Sequence, residues 1–176
     1  LLAHAQVLTE TQSISTFDAD GRVLAQDVVS ALQVPPQDNS SMDGYALRFA
    51  DCAKTNAVLK VTQRIPAGSH GTTLHAGEAA RIFTGAPIPP GANAVVMQED
   101  VQLDSSTAVP EVSVQVVPSK GQWIRRSGED VSRGAVVLPK GTRLDPAALG
   151  LAASIGVAKV NVVRRPRVAL FSTGDE

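Results

Sequence analysis

The stretch "RIFTGAPIPPGANAVVMQED", residues 81–100, holds two β-prone runs, Arg81–Phe83 and one beginning at Asn93, separated by a loop with three prolines. Proline fixes its own φ and donates no N–H to a ladder, so Pro87, Pro89 and Pro90 brace a loop and do not continue a strand. On the plainer reading Thr84-Gly85 is only the strand's exit. On the other, the stiffened loop turns the Thr84 hydroxyl and exposed backbone N–H groups toward a ligand oxyanion. Strand, stiff loop, strand is the pattern that sets the fold class.

The pattern continues on both sides. From Val58 the chain breaks into "VLKVTQRI", "AARIF", "NAVVMQEDVQL", "EVSVQVV" and "GAVVLP", divided by Gly, Pro, Asn and Ser clusters, which predicts a small antiparallel barrel or sandwich. Upstream, "GRVLAQDVVSALQVPP" reads as one short strand and a loop, closed by Pro35-Pro36. Downstream, Asp145 is placed as an N-cap, Pro146 as the first helical residue and Gly156 as the residue past the end of "AALGLAASI". "VAKVNVV" follows as a strand. The polar run Arg164-Arg165-Pro166-Arg167 then marks a boundary before "VALFS", the opening strand of a further domain. The class is α+β and β-rich.

Composition excludes several functions. Sixteen Lys and Arg against seventeen Asp and Glu give a net charge of −1, with no broad field for nucleic acid or anionic lipid. The one cysteine, Cys52, rules out an intrachain disulfide and a Cys-based zinc site and fits a reducing compartment, so the cytoplasm is expected. The most apolar stretch, "AALGLAASIGVA", is about half the length of a membrane helix, and the N-terminus has no signal-peptide pattern. The chain opens on Leu1 and stops at Glu176 directly after an apolar strand, and is read as part of a longer protein.

Four polar clusters stand out from the strands. In "SSMDGYALRFAD", residues 40–51, Asp and Ser side chains favour a local turn with Gly44 supplying an unusual φ, while Met42 and Tyr45 frame Asp43 as a carboxylate held in place. The EF-hand-like spacing from Asn39 fails at its twelfth position, Ala50. In "WIRRSGEDV", Arg125 and Arg126 suit bidentate contacts to phosphate, and Glu129 and Asp130 suit a metal or the orientation of the arginines; a solvated ion-pair turn is the plainer alternative. "FSTGDE" reads either as the first βα turn of a parallel α/β domain, where phosphates and metals gather, or as a chance strand and turn. His4, His70 and His75 have no metal-ligand spacing.

In order and wording, "DNSSMDGYALRFAD" (38–51), "RIFTGAPIPPGANAVVMQED" (81–100), "GQWIRRSGEDVSRGAVVLPKGTRL" (121–144) and "RPRVALFSTGDE" (165–176) together resemble one family, the molybdopterin molybdenumtransferases of the MoeA type, which includes the gephyrin E domain. The resemblance implies an enzyme that takes adenylated molybdopterin and molybdate, releases AMP with the help of Mg²⁺, and works as an elongated homodimer without nucleic acid or membrane. It implies functional importance for Asp43, Thr84, Asp130 and Glu176. Arg125, Arg126, Ser172, Thr173 and Gly174 are then expected to bind substrate, and Asp175 with Glu176 to bind metal. The implied architecture is a discontinuous mixed α/β framework, 1–42 with 121–165, around an inserted barrel-like β module, 43–120, with 166–176 as the first strand of the molybdopterin-binding domain. Gln37 departs from the apolar residue common at that place, at the edge of the motif. Two rivals remain: a gephyrin-like dimerisation or scaffold region without catalysis, and a free-standing β-rich module for sugars or anions.

Overall fold

The computed structural model of the chain describes residues 8–174. In chain order the strands are β1 (Thr11–Ser15), β2 (Val28–Val29), β3 (Asn39–Ser40), β4 (Gly44–Leu47), β5 (Ala57–Ile65), β6 (Glu78–Ile82), β7 (Ala94–Met97), β8 (Val101–Asp104), β9 (Glu111–Val114), β10 (Ile124–Arg125), β11 (Val136–Leu138) and β12 (Lys159–Val163). The helix α1 (Pro146–Ser154) lies between the last two. Among the described residues the protein is thus mostly β with one α-helix. It divides into two compact units, Leu1–Leu32 with Val131–Glu176, and Gln33–Asp130. The segments 33–42 and 121–130 fall in the second unit because they hold each other. Ile124 pairs with Ser40 and Arg125 with Asn39, and the Gly128 and Asp130 amides donate to the Pro35 and Val34 carbonyls.

In the first unit β1 pairs antiparallel with β12, from Thr11↔Val163 to Ser15↔Lys159, and β2 pairs with β11. Val160 and Val162 are buried between more exposed neighbours, the period-two pattern of a half-buried strand. The helix is framed as its sequence dictates. The Asp145 carboxylate accepts from the Ala148 amide at 2.8 Å, and Pro146 occupies the first turn. At the other end Gly156 has φ +79°, and the Gly156 and Val157 amides donate to the Ala153 and Ala152 carbonyls, which satisfies two of the helix's last acceptors. Ala148 and Ala152, one turn apart, face the core with Leu24, Leu144 and Ile155.

The expected strand "VALFS" does not form. Residues 164–173 belong to no strand, and Val168, Leu170 and Phe171 are 73%, 92% and 85% exposed. An apolar run makes a strand only against a partner ladder, and none of the described strands pairs with it.

The second unit is a six-stranded sheet in the order β7-β4-β6-β5-β9-β8. All its pairs are antiparallel except β5–β6, which is parallel; an all-antiparallel pattern was the expectation from sequence, and the long crossover 66–77 permits the exception. "NAVVMQEDVQL" is not one strand: a single turn, Gln98–Asp100, splits it into β7 and β8. Those two strands are opposite edges of the sheet yet only three residues separate them, so the sheet curls back on itself while its edges stay unpaired.

The β7, β4 and β6 half of the sheet is buried on both faces, whereas β5, β9 and β8 leave one face open to solvent, with Val58 exposed on it. Tyr45, Leu47, Leu59, Ala79, Val96, Val112 and Val114 form one cluster. Ala46, Ile65, Leu74, Ala80, Ile82, Ala86 and Val95 form the other, with Ile88, Ala92 and Ile124 against it. The braced loop therefore packs on the sheet through Ala86 and Ile88. A register shift between Val61 and Gln63 explains how β5 serves both faces. An extra residue flips the side-chain alternation, so Leu59 and Val61 join the first cluster and Ile65 the second. At Gly44 a Cβ would overlap the Val96 carbonyl oxygen of β7, so the strand can lie this close only without a side chain there.

Candidate functional site

Asp43 immediately precedes β4, a strand with neighbours on both sides, and it is exposed. Its Oδ1 accepts from the Thr84 backbone N–H and the Thr84 hydroxyl, both at 2.8 Å. The two residues are 41 apart in sequence, so this is not the local Asp turn that composition favours. Antiparallel pairing of Gly44 with Ile82 brings the start of β4 to the end of β6, and Gly85, at φ +82°, turns the chain immediately after Thr84. The carboxyl of Asp43 is held below its ordinary pKa, first by the Thr84 amide, then by its hydroxyl, with the Arg81 charge adding. Asp43 is therefore an anion at neutral pH, and Oδ2 takes no hydrogen bond from a described residue.

The backbone N–H groups of the braced loop do not wait for a ligand oxyanion, contrary to the expectation. The Thr84 amide is spent on Asp43, the Gly85 amide on the Ser40 carbonyl and the Ala86 amide on the Phe83 carbonyl. A tight loop folded onto a neighbouring segment uses its own donors.

Residues 38–43 are the rib that gathers the motifs. On one side the Ser40 amide donates to the Ala86 carbonyl at 2.9 Å and the Ile88 amide to the Asp38 carbonyl at 3.0 Å. On the other, the Ser41 amide and hydroxyl both donate to the Trp123 carbonyl at 3.0 Å. Trp123 has φ +54°, a left-handed conformation uncommon for a bulky residue. Asp38 fastens the far end. Its carboxylate accepts from the Ser127 amide at 2.8 Å and the Arg126 guanidinium at 2.6 Å, and the Ser127 amide first, then Arg126, lowers its pKa.

Arg125 donates to Asp130 at 2.6 Å, and the Glu129 carboxylate accepts from the Arg126 amide at 2.8 Å. Asp130 thus orients the Arg125 guanidinium, as in the ion-pair turn, whereas Glu129 reaches only the Arg126 backbone. The Asp130 hydrogen bond and charge raise the Arg125 pKa. Both partners are about half exposed, at 40% and 50%, so the pair is a weak contributor to stability.

Asp43, Thr84, Arg125, Arg126 and Asp130 therefore lie on one hydrogen-bonded assembly in the second unit. Ser172, Thr173 and Gly174 are exposed residues of the first unit, and Asp175 and Glu176 lie outside the described residues. Among the described residues no three His, Cys, Asp or Glu side chains come close enough to hold a metal ion. Of the acids in the assembly, Asp38 and Asp130 are engaged by arginines and Asp43 by Thr84. Sequence reasoning missed Asp38, Ser41, Arg81 and Trp123; all four lie inside the quoted motifs, which was the only available signal. Arg81 donates to the Gly44 carbonyl at 3.0 Å and the Gln98 side chain at 2.6 Å, beside Asp43.

Comparison with known proteins gives the family. The family model described as "MoeA N-terminal region (domain I and II)" matches residues 1–156. A molybdopterin molybdenumtransferase of Nostoc sp. is 41% identical over 172 residues, 95% of this chain and 38% of that protein. One from Haemophilus influenzae is 39% identical, covering 96% of the chain and 41% of the relative. The crystal structure of the molybdopterin biosynthesis moeA protein from Pyrococcus horikoshii OT3 superposes with a TM-score of 0.85 at 36% identity, over 92% of this chain and 43% of that one. The chain thus spans well under half the length of these relatives. With these motifs in this order, the chain belongs to the MoeA family and carries its N-terminal region.

Proposed function

We propose that this chain is the N-terminal part of an enzyme of molybdenum cofactor biosynthesis that inserts molybdate into adenylated molybdopterin and releases AMP, as a cytoplasmic homodimer. The observation that carries the reading is the Asp43–Thr84 pair: an ionised, exposed carboxylate with one free oxygen, fixed by a residue of the turn that follows β6. Cleaving a phosphoanhydride requires oriented oxygens and neutralised charge more than a protein nucleophile. On this reading the free Oδ2 of Asp43 orients the attacking oxygen. Thr84, whose hydroxyl proton goes to Asp43, has lone pairs left to accept from substrate. Arg125 and Arg126, held by Asp130 and Asp38, keep N–H groups for phosphoryl oxygens. Ser172, Thr173 and Gly174 are proposed as further phosphate-binding residues, and Asp175 with Glu176 as the Mg²⁺ ligands. The names of the relatives support the substrate class.

The test is AMP release from adenylated molybdopterin by the full-length protein, with and without molybdate. Molybdate-dependent release is expected. A folded dimer that binds the substrate but releases no AMP would instead support the scaffold alternative.

A further inference from the structure

Next to Asp43 and Thr84 lies a second polar feature that the reading above leaves unused. Val96, Tyr45, Arg81 and Arg64 form one cross-strand row over β7, β4, β6 and β5. The first two are buried in the core, whereas the row ends in two guanidinium groups on adjacent strands. Like charges placed opposite each other on neighbouring strands repel. They are side by side here only because the irregularity in β5 between Val61 and Gln63 resets the pairing, so that Arg64 comes opposite Arg81.

Phe83, the residue before Thr84, lies against both: each guanidinium carbon stands 4.6 Å from its ring centroid, and that of Arg81 stands 5.3 Å from the Tyr45 ring. The aromatic faces offset part of the repulsion. Neither arginine has a carboxylate within ion-pair distance among the described residues. Arg81 is locked by the Gly44 carbonyl and the Gln98 side chain, and Glu99 reaches it only through Gln98. Arg64 is exposed, and its guanidinium donates to no described residue. This contrasts with Arg125 and Arg126, each of which has an acid at 2.6 Å. Two planar cations set against one ring, one of them with its donors free, offer the fork geometry that a phosphoryl group matches.

We propose that Arg64 and Arg81, spaced by Phe83, form a subsite for a phosphoryl group of the molecule handled at Asp43 and Thr84. It rests on the phosphoanhydride chemistry proposed above. Arg81 supplies the fixed charge, and Arg64 supplies the donors that close on the anion.

The probe is AMP, titrated calorimetrically into the full-length protein at low and high salt, with Arg64→Gln, Arg64→Lys and Arg81→Gln beside the wild type. Arg64→Gln should weaken AMP binding about tenfold and remove much of its salt dependence, with an unchanged melting temperature. Arg64→Lys should recover part of the affinity, because it restores the charge but not the fork. Wild-type affinity in both Gln variants, or a wild-type protein that binds no AMP at millimolar concentration, would overturn the subsite. The binding readout is independent of turnover, so a protein that binds AMP through Arg64 yet shows no molybdate-dependent release would retain the subsite and lose the reaction.

Discussion

Asp43 and Asp130 are both exposed acids in the second unit, but different forces hold them. Asp43 is fixed by Thr84, 41 residues away, and both residues sit at ends of strands anchored between two buried clusters. Asp130 is fixed by Arg125, five residues away, in a half-exposed turn. The first geometry follows from the whole sheet and persists as long as the sheet does. The second is a local ion pair, open to salt and to rotamer change.

The comparison breaks most completely at Gly44. Gly44→Ala drives a Cβ into the β7 backbone, and neither β4 nor β7 can move without opening the sheet, so a loss of about 3 kcal/mol is expected in urea melts. The Asp43 geometry should vanish with the sheet while α1 and its caps, in the first unit, stay formed by NMR. Asp38→Asn should come next. It removes the charge that receives Arg126 and Ser127, so the Arg126 and Ser127 resonances should move while those of Thr84 stay. Acid titration probes the same acid. Its folded pKa lies below 3.8, so its stabilising contribution is complete above the unfolded value and is lost as pH falls below 3.8 through the folded one. The Asn variant should flatten that part of the acid transition.

A smaller effect separates the two ends of the assembly. Thr84→Val removes the hydroxyl but keeps the amide, so the Asp43 carboxyl pKa, followed by carbon NMR, should rise part of the way to its ordinary value; no rise would mean that the hydroxyl bond is not made in solution. The smallest effect is at Arg125→Gln, which should leave the melting temperature nearly unchanged in high salt. Cys52 serves as an internal control for the sheet. Burial first, then the Asp51 charge, pushes its thiol up to about 11, so it should resist alkylation at pH 8 until the second unit unfolds.

What could be read from the sequence was local. Asp145, Pro146 and Gly156 announce the helix because caps are decided within a few residues, and the β-branched runs placed β5, β6, β9, β11 and β12. What depends on distant contacts was hidden. "GYAL" has no alternation because β4 is buried on both faces, and nothing local marks the shift in β5, the parallel β5–β6 pair or the curl implied by the short β7–β8 turn. The site divides the same way. Asp43 and Thr84 were recognised by resemblance, but their mutual hydrogen bonds, the Asp38 clasp and the cation row of Arg64 and Arg81 arise from strand pairing across tens of residues. The same logic explains "VALFS": its composition is that of a strand, but a strand is made by its neighbour.

The central claim is that Asp43 is a carboxylate held by the fold for chemistry and not merely a turn residue. Asp43→Asn keeps the shape of the side chain and an oxygen for Thr84 while removing the charge. Molybdate-dependent AMP release by the full-length variant measures it most directly. The account predicts a protein with wild-type folding and a rate lowered by about a thousandfold, the scale of a lost acid–base or orienting group. A folded Asn variant that releases AMP at the wild-type rate would contradict it.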